Sequence, residues 1–500
     1  MHCGPDTTDT ISRTDYGSNI FGNGNSFMKP YLTMAMLAVS ATATHAADLS
    51  TRAPYYKAPL AQVYDWTGFY AGVNVGVGVG QNKATNATPA TNNASFFNLS
   101  PMGAAGGGQL GYNYQFGHWV VGAEADIQGI TVEQSSTPAI CATNCRGNGQ
   151  LLSWFGTVRG RVGYATGPVL SYVTGGFAYG DVKTSELLVI GGVPGTFQNE
   201  QTRTGWTLGS GVEAALGGNW TGKIEYLYVD LGRTSDTFVL GGATRVLSSD
   251  IREHVFRAGL NYRFGGNATT VFASAPADWR GFYLGANAGS GISRDRFTQT
   301  IPAGGINESF TTQARGFLGG VQAGYNWQAT SWVFGLEADF QGSTQKDDRI
   351  CLVNCLQPFT LQDTEKLPWF GTVRGRIGYD IGQTLFYVTG GLAYGQTKTT
   401  ITETFVGTTN VTSLSHTRTG WTAGGGIESP LEFLGWFGRN WTAKTEYLYV
   451  DLGSNSDSYN TTRTGFPNAP IGHTYANATR EHIFRTGLNY HFNTPVIAKY

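Results

Sequence analysis

The chain carries two copies of one long sequence pattern. Ser153–Lys183 reads SWFGTVRGRVGYATGPVLSYVTGGFAYGDVK, and Pro368–Lys398 reads PWFGTVRGRIGYDIGQTLFYVTGGLAYGQTK. The segment EYLYVDLG also occurs twice, at Glu225–Gly232 and Glu446–Gly453. Corresponding segments lie roughly 200 residues apart, far beyond the period of about 20–50 residues that is typical of solenoid repeats. A whole domain is therefore duplicated, and what both copies keep is a property of its fold.

Composition limits the fold class. Charged residues make up 13% of the chain, compared with roughly 25% in soluble domains. Glycine is abundant, at 71 of 500 residues, and the net charge of −1 argues against a general nucleic-acid partner, which requires a basic face. No segment of the mature chain approaches the roughly 20 apolar residues of a membrane-spanning helix. These features leave a secreted all-β protein or a transmembrane β-barrel.

The N-terminal region predicts export. From Met28 the sequence runs MKPYLTMAMLAVSATATHAADLS, with a basic start, an apolar core and small residues up to Ala46 and Ala47. This pattern predicts a secretory signal at residues 28–47 with cleavage near its end. Residues 1–27 are then expected to come from a start codon assigned too early. A periplasmic Pro/Tyr leader is expected at residues 48–65.

Period-two alternation separates the two fold classes. From Phe69 to Val79, apolar residues alternate with Tyr, Asn and Gly, which predicts a strand with one apolar face and one small or polar face. Each copy has eight such segments, and tight turns alternate with long polar loops, as in outer-membrane barrels. In the first copy the expected strands are 68–81, 104–116, 118–133, 153–166, 169–185, 203–216, 220–235 and 252–264; the tight turns are Gly117–His118, Thr166–Pro168 and Gly217–Asn219; the long loops are 82–103, 134–152, 187–202 and 236–250.

Charged residues fall on the side of the strands that is not apolar. In a closed barrel this side faces the lumen, which in an eight-stranded barrel is just wide enough to be filled by side chains. Both signs occur in equal number, because isolated buried charges are costly. We interpret the set as a structural ion-pair network that plugs the lumen, and prefer this to acid–base catalysis by paired carboxylates. The residues are Glu124, Asp126, Arg159, Arg161, Glu213, Lys223, Glu225 and Arg257, with Glu337, Asp339, Arg374, Arg376, Glu428, Lys444, Glu446 and Arg485 in the second copy.

Aromatic residues cluster at both ends of the expected strands. Such belts form where amphipathic rings settle at the two membrane interfaces. The belt beside the tight turns consists of Phe69, Trp119, Tyr164, Trp220, Tyr262 and Phe264, and the belt beside the long loops of Trp154, Trp206, Tyr226, Tyr228 and Phe256.

Four cysteines lie in matching loops of the two copies. Cys141 and Cys145 form a C-x3-C pair, as do Cys351 and Cys355. A zinc site is disfavoured because there is no nearby histidine and no second pair within a copy. A small disulfide in each loop suits an oxidising, exported compartment.

The chain resembles the small outer-membrane β-barrel proteins of alphaproteobacteria, the surface-antigen and porin-like family whose members are often called outer-membrane immunogenic proteins. The resemblance implies an outer-membrane location, an OmpA-like eight-stranded barrel and a role in envelope integrity and surface exposure. It also implies contact with outer-membrane lipids, lipopolysaccharide and the barrel-assembly machinery. The matching segments are APYYKAP (Ala53–Pro59), DWTGFYAGVNVG (Asp65–Gly76), GGQLGYNYQ (Gly107–Gln115), WVVGAEAD (Trp119–Asp126), WFGTVRGRVGY (Trp154–Tyr164), EYLYVDLG and GLNYHF (Gly487–Phe492).

Two features depart from this family. Its members normally carry one barrel, whereas this chain has two copies. They also normally end on the aromatic residue of the last strand, whereas residues 493–500 follow Phe492 here. The assembly signal is therefore expected to be Phe492, with the tail tolerated, or Tyr500.

The copies can form two barrels or one. Two eight-stranded barrels would occupy residues 66–264 and 279–492, joined by a linker at residues 265–278 (GGNATTVFASAPAD). A single sixteen-stranded barrel has the same strand parity and would enclose a water-filled pore. We favour two barrels, because each copy keeps a complete set of charges and the linker is longer than a hairpin turn.

Three functions fit this sequence. The first is a non-catalytic envelope protein with a structural, surface-exposed role, and the second is a porin-like channel for small solutes. The third is a haemin receptor, with His416 or His473 in loops as axial ligands. No cofactor or metal site is otherwise expected. An enzyme is disfavoured, because the copies share no Ser/His or Asp/His set at the loop rim.

Overall fold

The computed structural model describes residues 64–91, 93–99, 101–136, 144–190, 192–265, 277–301, 306–350, 359–405, 408–431, 440–461 and 471–492. These residues are almost entirely β-strand, with one short 3-10 helix at Pro89–Thr91. Among them, no helix is both long enough and apolar enough to cross a membrane.

The first copy forms ten strands. They are β1 (Gly68–Gly80), β2 (Asn82–Thr88), β3 (Asn93–Leu99), β4 (Met102–Phe116), β5 (Trp119–Ser136), β6 (Asn144–Thr166), β7 (Val169–Ile190), β8 (Val193–Gly217), β9 (Trp220–Leu240) and β10 (Ala243–Phe264). The second copy repeats this order with β11 (Gly281–Ser293), β12 (Asp295–Ile301), β13 (Ile306–Thr312), β14 (Arg315–Ala329), β15 (Trp332–Ile350), β16 (Phe359–Ile381), β17 (Thr384–Phe405), β18 (Thr408–Pro430), β19 (Trp441–Thr461) and β20 (Ile471–His491).

Each copy closes on itself. In the first, neighbouring strands pair antiparallel from β4 to β10, and β1 joins β4 to β10, with Val73 opposite Leu260. In the second, β11 joins β14 to β20 in the same way. Within the described residues the strands fall into two separate sheets, one for each copy. The prediction of two eight-stranded barrels is therefore confirmed, and the sixteen-stranded alternative is wrong.

The remaining two strands of each copy form a hairpin on the barrel rim. β2 and β3 pair with each other, and β2 also pairs with the far end of β10, where Ala87 lies opposite Val246. In the second copy β12 and β13 pair likewise, and β12 joins the far end of β20. These hairpins extend the barrel wall at the end away from the tight turns.

The prediction of long polar loops is wrong for most of their length. β7 extends to Ile190 and β8 begins at Val193, which lies opposite it. β9 and β10 continue through 236–250 and meet at a tight turn. Gly241 and Gly242 adopt φ values of 61° and 75°, the left-handed conformation that a two-residue hairpin turn requires. Beyond the membrane the outer strand face meets water and need not be apolar, so the apolar alternation ends although the hydrogen-bonded ladder continues.

The two barrels pack side by side through equivalent residues. The Tyr226 ring lies 5.7 Å from that of Phe484, and the Phe256 ring lies 5.2 Å from that of Tyr447. Phe484 is the counterpart of Phe256, and Tyr447 is the counterpart of Tyr226. Each barrel therefore uses the same two residues in the contact, as in an isologous interface. Tyr226 and Phe256, which we assigned to a lipid-facing belt, therefore contact the other barrel, and Phe256 is buried.

Candidate functional site

The strand pleat directs all sixteen predicted charges into the barrel interiors. Successive side chains on a strand point to opposite faces, so Arg159 and Arg161 on β6 share the inner face with Phe155. Val158 and Val162, which alternate with them, are 54% and 47% exposed on the outer face. Each of the sixteen charged residues is at most 5% exposed.

Arg159 is at the centre of the first lumen. Its guanidinium contacts the carboxylates of Glu124, Asp126 at 2.7 Å and Glu225 at 3.1 Å. Arg257 approaches the same carboxylates from β10, and its Nη2 lies 2.9 Å from Asp126. Lys223 donates from β9 to Glu124 at 3.0 Å. Three cations from three strands therefore neutralise three acids within one layer.

A second pair lies nearer the tight turns. Arg161 donates to Glu213 at 3.0 Å, and its guanidinium lies between the rings of Tyr70 and Tyr172, 4.6 and 5.2 Å from their centroids. Cation–π contacts of this kind are strongest where water is excluded. Tyr70 also donates to Glu124 at 2.8 Å, which joins the pair to the central layer. The tyrosine ring fits because Gly111 lies opposite, where a Cβ atom would be 2.2 Å from the hydroxyl oxygen.

The second lumen repeats this arrangement. Arg374 contacts Glu337, Asp339 at 3.0 Å and Glu446 at 3.2 Å, and Lys444 donates to Glu337 at 2.8 Å. The other equivalent contacts are Arg485 with Asp339 at 2.7 Å and with Glu446 at 2.6 Å, Arg376 with Glu428 at 2.8 Å, and Tyr283 with Glu337 at 2.8 Å.

Tryptophans that precede each barrel close the tight-turn end of the lumen. Trp66 is fully buried among Val120, Leu170 and Ala215, and its indole donates to the Gly167 carbonyl at 3.2 Å. In the second copy Trp279 is buried with Val333 and Leu385. This closure was not predicted from the sequence. The signal was the recurrence of Asp-Trp-x-Gly-Phe before the first strand of both copies.

An apolar layer closes the other side of the charges. In the first copy the buried cluster is Ala105, Ile130, Leu152, Phe155, Ala178, Val182, Leu227, Val229, Leu231, Ile251 and Val255. In the second it is Leu318, Leu367, Phe370, Ala393, Leu448, Val450, Leu452 and Ile483. This layer was not predicted, although EYLYVDLG contains it: after the inward Glu225, every second residue is Leu or Val. Each lumen is therefore filled in three layers, indole, ion pairs and aliphatic side chains.

The belts lie on the outer surface apart from Tyr226 and Phe256. Trp119 and Trp220 beside the tight turns are 48% and 46% exposed. Their rings pack against Tyr164 and Tyr262. At the other end Trp206 is 50% exposed and packs against Tyr228. The aromatic residues that surround the two barrels at this end form what we call the outer belt: Trp154, Trp206, Tyr228, Trp369, Trp421 and Tyr449.

The two candidate haemin ligands lie on strands and not in loops. His416 is in β18, with Nε2 3.0 Å from the Asp457 carboxylate. His473 is in β20, 1% exposed, stacked on Tyr459 and 2.8 Å from the Thr461 hydroxyl. The loop assignment was wrong because the barrel wall extends further than the apolar alternation indicates.

Other predicted positions are described only in part. Phe492 follows β20, is 57% exposed, and its backbone N–H donates to the Phe282 carbonyl at 2.9 Å. Tyr500, Cys141, Cys351 and Cys355 lie outside the described residues, as does the side chain of Cys145. The leader up to residue 63 and most of the linker also lie outside them.

Comparison with known proteins gives the family. The model of the outer membrane protein beta-barrel domain matches this chain twice, at residues 33–264 and 268–492. The chain belongs to this outer-membrane β-barrel family. Its location is accordingly the outer membrane.

Relatives of this outer-membrane barrel protein have the length of one copy. It is 37% identical over 247 residues to the 31 kDa outer-membrane immunogenic protein of Brucella melitensis, covering 47% of this chain and all of that protein. It is 36% identical over 176 residues to the 22 kDa outer membrane protein of Rhizobium leguminosarum bv. viciae, covering 35% of this chain and 68% of the relative.

Among solved structures, the Pseudomonas putida toluene transporter TodX is similar with a TM-score of 0.27 and 10% identity. The match covers 85% of this chain and 91% of that one. We infer nothing about solute transport from a likeness at this level.

Proposed function

We propose that this outer-membrane barrel protein has a non-catalytic, structural role in the envelope, with two closed barrels that carry surface-exposed hairpins. The observation that carries the proposal is the three-layer filling of both lumens. An eight-stranded barrel has little internal space, and here its width is occupied by paired charges between a buried indole and an aliphatic cluster. The porin-like reading would require a water-filled passage through these layers.

The extended hairpins are the part of the protein that we place at the cell surface. Strands β6 to β10 continue well past the outer belt, and their counterparts β16 to β20 do the same. Outer-membrane barrels have short periplasmic turns and longer extracellular connections. We therefore propose that lipids and lipopolysaccharide surround the barrel wall and that external partners meet the hairpins.

Lysine labelling on intact cells tests both parts of this proposal. Lys183 and Lys346 lie beyond the outer belt with side chains 43% and 46% exposed, whereas Lys223 and Lys444 are fully enclosed in the lumens. A small, membrane-impermeant amine reagent, followed by peptide mass spectrometry, should modify the first two and spare the second two. Unfolding the protein before labelling should expose all four.

Two outcomes would overturn the proposal. Modification of Lys223 or Lys444 in folded protein would mean that water and solutes reach the lumen, as in a channel. Protection of Lys183 and Lys346 on intact cells, with modification after the outer membrane is permeabilised, would place the hairpins on the periplasmic side.

A further inference from the structure

Two acidic side chains meet inside the rim of the second barrel. Asp295 begins β12, and Glu365 lies on β16, four residues beyond Trp369 of the outer belt in the direction of the hairpins. They are 1% and 3% exposed. The two carboxyl groups lie close together, because Thr312, which pairs with Asp295 across the β12–β13 hairpin, donates its hydroxyl to the Glu365 carboxylate. This site lies outside the membrane band, above the aliphatic layer.

The first barrel has a neutral pair at the same place. Asn82 begins β2 as Asp295 begins β12, and Gln150 precedes Trp154 by the same four residues. The Asn82 amide donates to the Gln150 carbonyl oxygen at 2.6 Å. Amide pairs keep such a bond at any pH, whereas two carboxyl groups form one only when a proton lies on one of them.

The neighbours of the acidic pair satisfy its oxygens but do not neutralise a second charge. Ser293 Oγ and the Arg480 N–H donate to Asp295 at 2.8 and 3.0 Å, and Asn477 donates to Glu365 at 3.0 Å. Thr312 also donates its hydroxyl to Glu365. Thr399 lies opposite Glu365 on β17 and is uncharged.

Charged groups around the pair come from several strands. Glu481 on β20 acts repulsively on Asp295 and is held by Gln345 of β15 at 2.6 Å. Arg418 on β18 attracts both acids, but its guanidinium donates to Asn477 and Thr479, at 3.0 and 3.2 Å. Other charged or titratable groups lie on the same rim. Asp347 of β15 lies directly opposite Glu365, and Arg294 and Arg296 flank Asp295 in the chain. The rim also includes Asp363 on β16, Glu403 on β17, His416 on β18, Asp457 and Tyr459 on β19, and His473 and Tyr475 on β20.

We infer that Asp295 and Glu365 form a proton-binding site that fastens the β12–β13 hairpin to the barrel wall only while the pair holds a proton. Asp295 is at the root of that hairpin, and β12 pairs with β20 from Arg296 opposite Ala478 to Thr300 opposite Thr474. Loss of the shared proton places two negative charges side by side in a buried site next to Glu481. Adjacent like charges repel each other, so the hairpin root should loosen.

The titration of the pair sets the pH range. Burial raises the pKa of Asp295 to about 6, from an ordinary value of 3.8. Burial, and then the charge of Asp295, raise the pKa of Glu365 well above its usual range. A carboxyl group with a raised pKa binds more protons in the folded state. The hairpin is thus firmest at low pH, weakens as the pH rises from about 4 through 6 while one proton still joins the pair, and is released as Glu365 ionises at higher pH.

Hydrogen exchange of the two hairpins in one sample tests this inference. The full mature chain in detergent micelles is exchanged between about pH 4.5 and 8, and peptides covering residues 82–99 and 295–312 are compared after correction for intrinsic rates. One pKa unit corresponds to a factor of ten. We therefore expect protection of 295–312, relative to 82–99, to fall by roughly 10- to 100-fold with rising pH.

Exchanging the pairs between the copies provides matched variants. The double variant Asp295→Asn, Glu365→Gln recreates the first copy's amide pair and should give 295–312 the flat profile of 82–99. The reverse variant Asn82→Asp, Gln150→Glu should transfer the pH dependence to 82–99. The inference is overturned if both hairpins of the parent protein follow the same pH profile, or if the profile of 295–312 persists in the first variant. The reverse variant keeps the test decisive if the first variant fails to fold.

A metal ion is not the expected ligand. In the described part of the chain, no group of three or more His, Cys, Asp or Glu residues is arranged to hold one. The same exchange experiment repeated with calcium at about pH 8 checks this, and recovery of protection of 295–312 by calcium would overturn the proton-only assignment.

Discussion

At the scale of single residues, each of the sixteen predicted lumen charges has a partner of opposite sign within reach. Arg159 contacts three carboxylates, and each of these also contacts another cation. The Coulomb attraction only offsets the large cost of removing these ions from water. Replacing single charged residues therefore tests the network better than counting its ion pairs.

Replacing Arg159 should destabilise the first barrel strongly. Arg159→Met leaves Glu124, Asp126 and Glu225 with fewer cations in a dry site, and loss of one partner of a buried pair costs about 3–5 kcal/mol. Equilibrium urea unfolding in detergent micelles measures the change. The control is Arg233→Met, whose side chain is 60% exposed and should change stability by at most about 1 kcal/mol. Equal effects of the two variants would contradict a dry, paired lumen.

At the scale of elements, the segment before each first strand is part of the barrel. Trp66 and Trp279 fill the tight-turn end of their lumens. Arg263 supports the first, because its guanidinium lies 5.7 Å from the Trp66 ring and contacts the Asp65 carbonyl. The leader and the linker are thus each followed by a tryptophan that closes the lumen of the next barrel.

Removing this plug should cost more than removing an aromatic ring of the belt. Trp66→Ala leaves a cavity among Val120, Leu170 and Ala215, and such large-to-small changes cost about 3–5 kcal/mol. Trp220→Ala, at the same end but 46% exposed on the outer surface, should cost about 1 kcal/mol. Urea unfolding midpoints compare the two. A larger effect of Trp220→Ala would mean that Trp66 does not fill the lumen.

The sequence predicted the inner faces of the strands but not their lengths. Within the membrane the outer face must be apolar, so charges such as Arg159 and Glu225 reveal the inner face by alternation alone. Above the membrane the outer face meets water and need not be apolar, and this signal ends although β8 and β9 continue to their hairpin turns. His416 and His473 were placed in loops for this reason. Trp66 was missed because a plug outside the strands has no period.

At the scale of the whole molecule, duplication produced two barrels that share one interface and differ at the rim. Phe256 and Phe484 occupy equivalent places in the contact between the barrels. The ion pairs are the same in both lumens, whereas the amide pair of one rim is an acid pair in the other. We therefore expect the rim to be a place where the two copies behave differently.

Planar-bilayer recording of the refolded mature chain tests the closure of both barrels most directly. Insertion is verified first by the shift in electrophoretic mobility between heated and unheated samples. Because each lumen is filled from the indole to the aliphatic layer, we expect no stable current steps above the bilayer baseline at either polarity. Long-lived steps of one large size, or paired steps of equal size, would contradict two closed barrels.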